Sequence, residues 1–129
     1  MKTITRYIDN IKSNIVFYIG QNSMENYDII DASKPYDLWF HIKSVPSCHV
    51  IASIDNINYD KKQLHKIAVQ GAMLCKQNSK YKSDKKVDVI YCNIDDVKKC
   101  TDIDDFERGY NNKSKIGSVI LQKYKTITI

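Results

Sequence analysis

Lys61-Lys62-Gln63-Leu64-His65-Lys66-Ile67-Ala68-Val69-Gln70-Gly71-Ala72-Met73-Leu74-Cys75-Lys76-Gln77-Asn78-Ser79 is the one stretch of this sequence with a sustained helical period. Leu64, Ile67, Ala68, Gly71, Leu74 and Cys75 recur at helical spacing, while Lys61, Lys62, Lys66, Gln70 and Gln77 mostly fall elsewhere. The spacing predicts one long amphipathic helix over residues 61–79. On either side the apolar pattern has a period of two. Residues 48–54 and 37–43 read as strands joined by the Val45-Pro46-Ser47 turn, and Lys34-Pro35 breaks the chain before them. Further upstream, residues 14–19 are β-branched and aromatic and pair with residues 3–8 as a hairpin. Between them and Pro35, Ser23 caps a short helix carrying Tyr27, Ile29 and Ile30.

Downstream, residues 80–86 form a basic loop and residues 86–92 a strand. Residues 93–96 make a short helical turn that leads into Val97-Lys98-Lys99. Residues 102–112 are polar, residues 116–123 are a last strand, and the tail 126–129 adds an edge strand or frays. One long helix and one or two short ones among closely spaced strands imply an α+β fold with a mainly antiparallel sheet. The whole chain, 1–129, reads as a single domain.

Hydrophobic residues make up 43% of the 129, enough for a real core. No run approaches the roughly 18 apolar residues of a membrane-spanning helix. The polar Met1-Lys2-Thr3-Ile4-Thr5-Arg6 lacks the apolar segment of a signal peptide, so the expected location is cytoplasmic. Cys48, Cys75, Cys92 and Cys100 are scattered without a Cys-x-x-Cys pair, which predicts free thiols and no zinc site. The net charge of +5 is mild evidence for a polyanionic partner. The lysines cluster at 61–66, 76–86 and 98–99, and the acidic stretch from Asp95 to Glu107 would repel phosphates.

The residues richest in chemistry lie between 37 and 49. Strand alternation puts Leu38, Phe40 and Ile42 on one face and Asp37, Trp39, His41 and Lys43 on the other. The turn at Pro46 returns His49 to the second face. An aromatic ring beside cationic groups can stack a base and neutralise a phosphate. Each residue also has a plain structural reading: Trp39 in a second core, His41 as a hydrogen-bonded core histidine, Asp37 as the cap of the turn after Pro35. His41, His49 and Asp37 could instead supply two imidazoles and a carboxylate to zinc or iron, although their spacing matches no metal motif. There is no Gly-x-Ser-x-Gly, no P-loop and no dinucleotide fingerprint.

Gly20-Gln21-Asn22, Glu25-Asn26, Asp37-Leu38-Trp39-Phe40-His41 and Pro46-Ser47-Cys48-His49-Val50, taken together, resemble the NFACT-R family of RNA-binding modules. That family carries a Gly-x-Asn stretch, an Asp-x-Trp-Phe-His motif and a Pro-Gly-Ser-His-Val turn and strand. The helix ending at Asn78-Ser79-Lys80, the strand 86–91 and Val97-Lys98-Lys99 extend the likeness over residues 15–120. It is greatest with the short eukaryotic coiled-coil-domain proteins that begin with this module, here expected as a standalone domain. The sequence departs from the bacterial pattern in reading Pro-Ser-Cys-His at the turn, and in replacing a glycine-rich region after Lys99 by residues 100–112.

The resemblance implies RNA binding without catalysis or cofactor, with tRNA, rRNA or the ribosome as partner, as in ribosome quality control, and with DNA as a possible competitor. On this reading Trp39 is a stacking platform, His41 and His49 are polar or phosphate contacts, and Asp37 orients a histidine. Lys43, Lys98 and Lys99 touch phosphates, and Asn22 and Ser47 join the site through their motifs. Two rival classes stay open: a small metal- or histidine-assisted enzyme acting on nucleic acid at the same face, and a protein-docking module.

Overall fold

The alternating runs form strands and the helical run forms a helix, and the two periods meet in one sheet with cover on both faces. The computed structural model describes residues 1–54, 58–99, 114–116 and 119–129. In chain order the strands are β1 (Lys2–Ile8), β2 (Ser13–Gly20), β3 (Leu38–Ile42), β4 (His49–Ser53), β5 (Asp88–Asn93), β6 (Val97–Lys99), β7 (Ser114–Ile116), β8 (Val119–Leu121) and β9 (Lys125–Thr128). The helices are α1 (Ser23–Asp31), between β2 and β3, and α2 (Lys61–Gln77), between β4 and β5. A six-stranded sheet runs β1-β2-β4-β3-β5-β9, and a three-stranded sheet runs β6-β8-β7. Every pairing among the described residues is antiparallel.

On one face of the large sheet Phe17, Phe40, Val50 and Val89 pack against Ile67, Ala68, Ala72 and Leu74 of α2. Gly71 lets the helix approach, because a Cβ there would overlap the ring of Phe40. The start of α2 is fixed by a capping box: Asp60 accepts from the Gln63 amide at 2.8 Å, and Gln63 accepts from the Asp60 amide at 3.0 Å. The other face of the sheet is covered as well. Trp39, Ile51 and Ile90 pack there against Ile29 and Ile30 of α1 and against Val119 and Leu121 of β8.

Several boundaries differ from the sequence reading. The cap of α1 is Asn22, whose side chain accepts from the Glu25 amide at 2.9 Å, and Ser23 is the first helical residue. Residues 97–99, to which the sequence pattern assigned no element, are strand β6, paired with β8 from Val97↔Leu121 to Lys99↔Val119. The last strand foreseen over 116–123 is instead the short pair β7 and β8 of the second sheet. That sheet was not foreseen, because its strands are only three residues long and pattern weakly. The tail is an edge strand, and Val87 and Ile129 exchange both backbone hydrogen bonds just beyond it, at 2.8 and 2.9 Å. The polar stretch 102–112 lies outside the described residues.

Candidate nucleic-acid interface

Strand β3 carries the Asp-x-Trp-Phe-His motif, and its pairing with β4 fixes the neighbours. Trp39 lies opposite Ile51, and the hairpin brings His41 and His49 to ring centroids 5.3 Å apart. The indole of Trp39 stacks on His41 at 5.6 Å with an interplanar angle of 11°, and meets His49 edge-on at 5.1 Å. The three rings foreseen as one cluster are thus brought together. They are also closed off: Trp39 is 0% exposed, His41 2% and His49 3%.

Burial corrects the stacking role expected of Trp39. A base needs an open ring face, and here α1, β8 and the two imidazoles surround the indole, as in the second-core reading. Trp39 Nε1 donates to His49 Nδ1 at 3.1 Å, so the proton of neutral His49 sits on Nε2. His41 Nδ1 lies against the Ile42 carbonyl, which can only accept, so His41 carries its proton on Nδ1. Burial, reinforced by the neighbouring His41, pulls His49 down to about 3. Burial also lowers His41, against the opposing pull of the Ile42 carbonyl. Both rings are therefore neutral at physiological pH and present no cation to a phosphate.

Asp37 does not orient a histidine. Its carboxylate accepts from the Lys34 amide at 2.9 Å, closing the turn after Pro35, and from the Ile54 amide at 2.9 Å, where β4 ends. With those oxygens held, the Asp37–His41–His49 ligand set does not assemble, and no cluster of three or more His, Cys, Asp or Glu residues is placed to hold a metal among the described residues. Asn22 and Ser47 each have a role in the scaffold. Asn22 caps α1, while the Ser47 hydroxyl accepts from the Ile42 amide at 3.1 Å and donates to the Cys48 carbonyl at 2.9 Å. Asn26, a second motif residue, accepts from the His49 amide at 3.3 Å, in space that a Cβ on Gly20 would fill.

Three residues of the expected site lie outside this core. Lys43 is exposed just past the end of β3, Lys98 is half-buried in β6, and Lys99 ends that strand. Cys48, Cys75 and Cys92 are buried free thiols, and Cys100 is outside the described residues. Among the described residues, no helix is long and apolar enough to cross a membrane. The sequence reading passed over a surface groove beside the first turns of α2, lined in part by Tyr91, Tyr124 and Lys125. These residues come from separate elements and form no contiguous motif.

Comparison with known proteins agrees with the motif reading. The family model described as the NFACT protein RNA binding domain matches residues 5–109. Mouse coiled-coil domain-containing protein 25 is 27% identical over 119 residues, covering 86% of this chain and 54% of that protein. The zebrafish (Danio rerio) protein of the same name is 29% identical over 117 residues, with 82% and 52% covered. A Dictyostelium discoideum homologue is 26% identical over 111 residues, with 85% and 54% covered. The chain thus spans about half the length of the curated relatives it matches. The C-terminal part of a fibronectin/fibrinogen-binding protein from Streptococcus suis shares the fold, with a TM-score of 0.69 at 24% identity, over 97% of this chain and 44% of that one.

Proposed function

This chain belongs to the NFACT protein RNA-binding domain family, and from that premise we propose that it binds tRNA or ribosomal RNA as a non-catalytic module, in association with ribosomes and inside the cell. The observation that carries the reading is the family match, which takes in both helices, the second half of β1 and β2 to β6. The net charge of +5 supports it, since phosphate neutralisation supplies a large share of nucleic-acid affinity in general. Lys43 and the Lys98-Lys99 strand are the phosphate contacts in this reading.

The enzyme alternative placed its chemistry on His41 and His49. Their burial, their neutral state and the engagement of one nitrogen on each ring speak for a structural role. A general base needs a reachable lone pair and a substrate beside it. The test is a titration of tRNA against the 129-residue chain at several salt concentrations. Binding should weaken as salt rises, and Lys43→Ala should lower the salt slope by about one. Absence of binding to tRNA and rRNA at low salt would contradict the proposal.

A further inference from the structure

The groove beside α2 has a volume of about 510 Å³, within the roughly 300–1,000 Å³ of small-ligand sites. Its floor is the α2-facing side of the large sheet. The register Tyr91↔Lys125 places these two side by side there, with Asn93 further along β5. Its wall is the first turns of α2, where Lys61, Leu64 and His65 are exposed at helical spacing. The far rim is the connection from β8 to β9, with Lys123 and Tyr124.

The polar and aromatic groups are of complementary kinds. Lys61, Lys123 and Lys125 are all exposed, and Asp96 is the one carboxylate among the lining residues. Tyr124 is 38% exposed on the rim, where a ligand in the recess can meet it. Tyr91 lies on Phe40 at 5.7 Å with an interplanar angle of 23°, so its ring is held in place. Partial burial pushes its pKa up, so its hydroxyl stays protonated and able to donate. The exposed Asn93 amide offers both a donor and an acceptor, as the edge of a base requires.

Resting on the RNA-binding reading above, we infer that this groove holds an unpaired nucleotide of a single-stranded RNA segment, its base against Tyr124 and its flanking phosphates on Lys61, Lys123 and Lys125. A recess between a helix and a loop admits a splayed base, whereas bases inside a duplex are stacked and cannot enter it. An acidic peptide would use the lysines as well, whereas a nucleotide brings a flat ring and a phosphate together to a recess lined by tyrosines and lysines. Lys43 lies beyond the opposite end of β3 from Leu38, which borders the groove, about 17 Å away along the strand. The groove and the Lys43 contact are therefore separable by mutation.

The experiment uses the full 129-residue chain and a labelled oligouridylate of about twelve residues, read by fluorescence anisotropy. Lys123→Glu with Lys125→Glu should weaken binding at least about tenfold and reduce the salt slope. Tyr124→Ala should weaken it about tenfold with the slope unchanged, and Tyr124→Phe should bind like wild type. On the wild-type protein, a 4-thiouridine oligonucleotide should crosslink to the peptides holding Tyr91 or Tyr124, a readout that does not depend on how any variant folds. Wild-type affinity in both the lysine pair and Tyr124→Ala, or crosslinks mapping elsewhere, would overturn the groove and leave RNA binding standing. So would binding of tRNA with none of the oligouridylate, or equal competition by a polyglutamate peptide. Failure to bind either RNA would remove both readings.

Discussion

Two regions on opposite faces of the same sheet invert what their residues suggest. The Trp39–His41–His49 cluster has the richest chemistry in the sequence and no opening to solvent. The groove beside α2 has plainer residues, lysines and tyrosines, but they are exposed around a recess. The difference is what covers each face. On the cluster side, α1 and β8 pack over the indole, which is hydrogen-bonded to His49 and stacked on His41, while His41 Nδ1 is held by the backbone. On the groove side, α2 covers the sheet only where its apolar stripe runs, and at Lys61 and His65 that stripe gives way to polar groups. Residue type proposes a chemistry, and cover decides whether a ligand can use it.

The sharpest way to break this comparison is to truncate the indole. Trp39→Ala should cost about 3–5 kcal/mol of unfolding free energy, measured by denaturant titration. An exposed platform would lose RNA affinity instead and little stability. On the other face, Gly71→Ala tests how closely α2 sits on the sheet. The added methyl overlaps the Phe40 ring and should cost about 1–3 kcal/mol.

The neutral histidines give a pH test of the buried side. An unfolded histidine takes up a proton near pH 6.5, whereas His49 in the fold does so only near 3. Above about pH 6.5 both states are neutral and no penalty arises. As the pH falls from about 6.5 toward 3, the unfolded chain binds a proton that the folded one does not. Stability therefore drops by up to about 1.4 kcal/mol per pH unit for this residue, and His41 adds in the same direction. His49→Asn keeps an acceptor near the Trp39 N–H but has no proton to gain, so its stability should vary less between pH 7 and 4. A steep wild-type dependence that persists unchanged in His49→Asn would contradict the assignment. The smallest effect is expected from Lys43→Ala: a change of about one in the salt slope of RNA binding and no shift in melting temperature.

Much of the fold was legible because period decides it. Alternation in residues 14–19 and 37–43 and the helical stripe in 61–79 survive as β2, β3 and α2. The Asp60–Gln63 capping box was also present in the sequence as a signal for where α2 begins, and was passed over. What pattern could not give was the second layer. Val119 and Leu121, which close over Trp39, sit in a three-residue strand with no readable period of its own. Without that cover, alternation makes a buried polar face and an exposed one look alike. The cluster of Trp39, His41 and His49 was therefore foreseen correctly as a neighbourhood and incorrectly as an opening. The groove was invisible for the opposite reason. Lys61, Tyr91 and Tyr124 are far apart in sequence, and only the β5–β9 register and the path of α2 bring them together.

One paired measurement tests the central claim directly: unfolding free energy and oligouridylate affinity on the same preparations of Trp39→Phe and of Lys123→Glu with Lys125→Glu. The expected result is a crossing. Trp39→Phe loses stability, because the hydrogen bond to His49 and part of the packing disappear, yet its folded form binds RNA as wild type does. The lysine pair keeps its stability and loses affinity by about tenfold or more. The contradictory result is the reverse, with folded Trp39→Phe failing to bind and the lysine variant binding unchanged. That would put the RNA on the face of Trp39 and return the groove to ordinary surface.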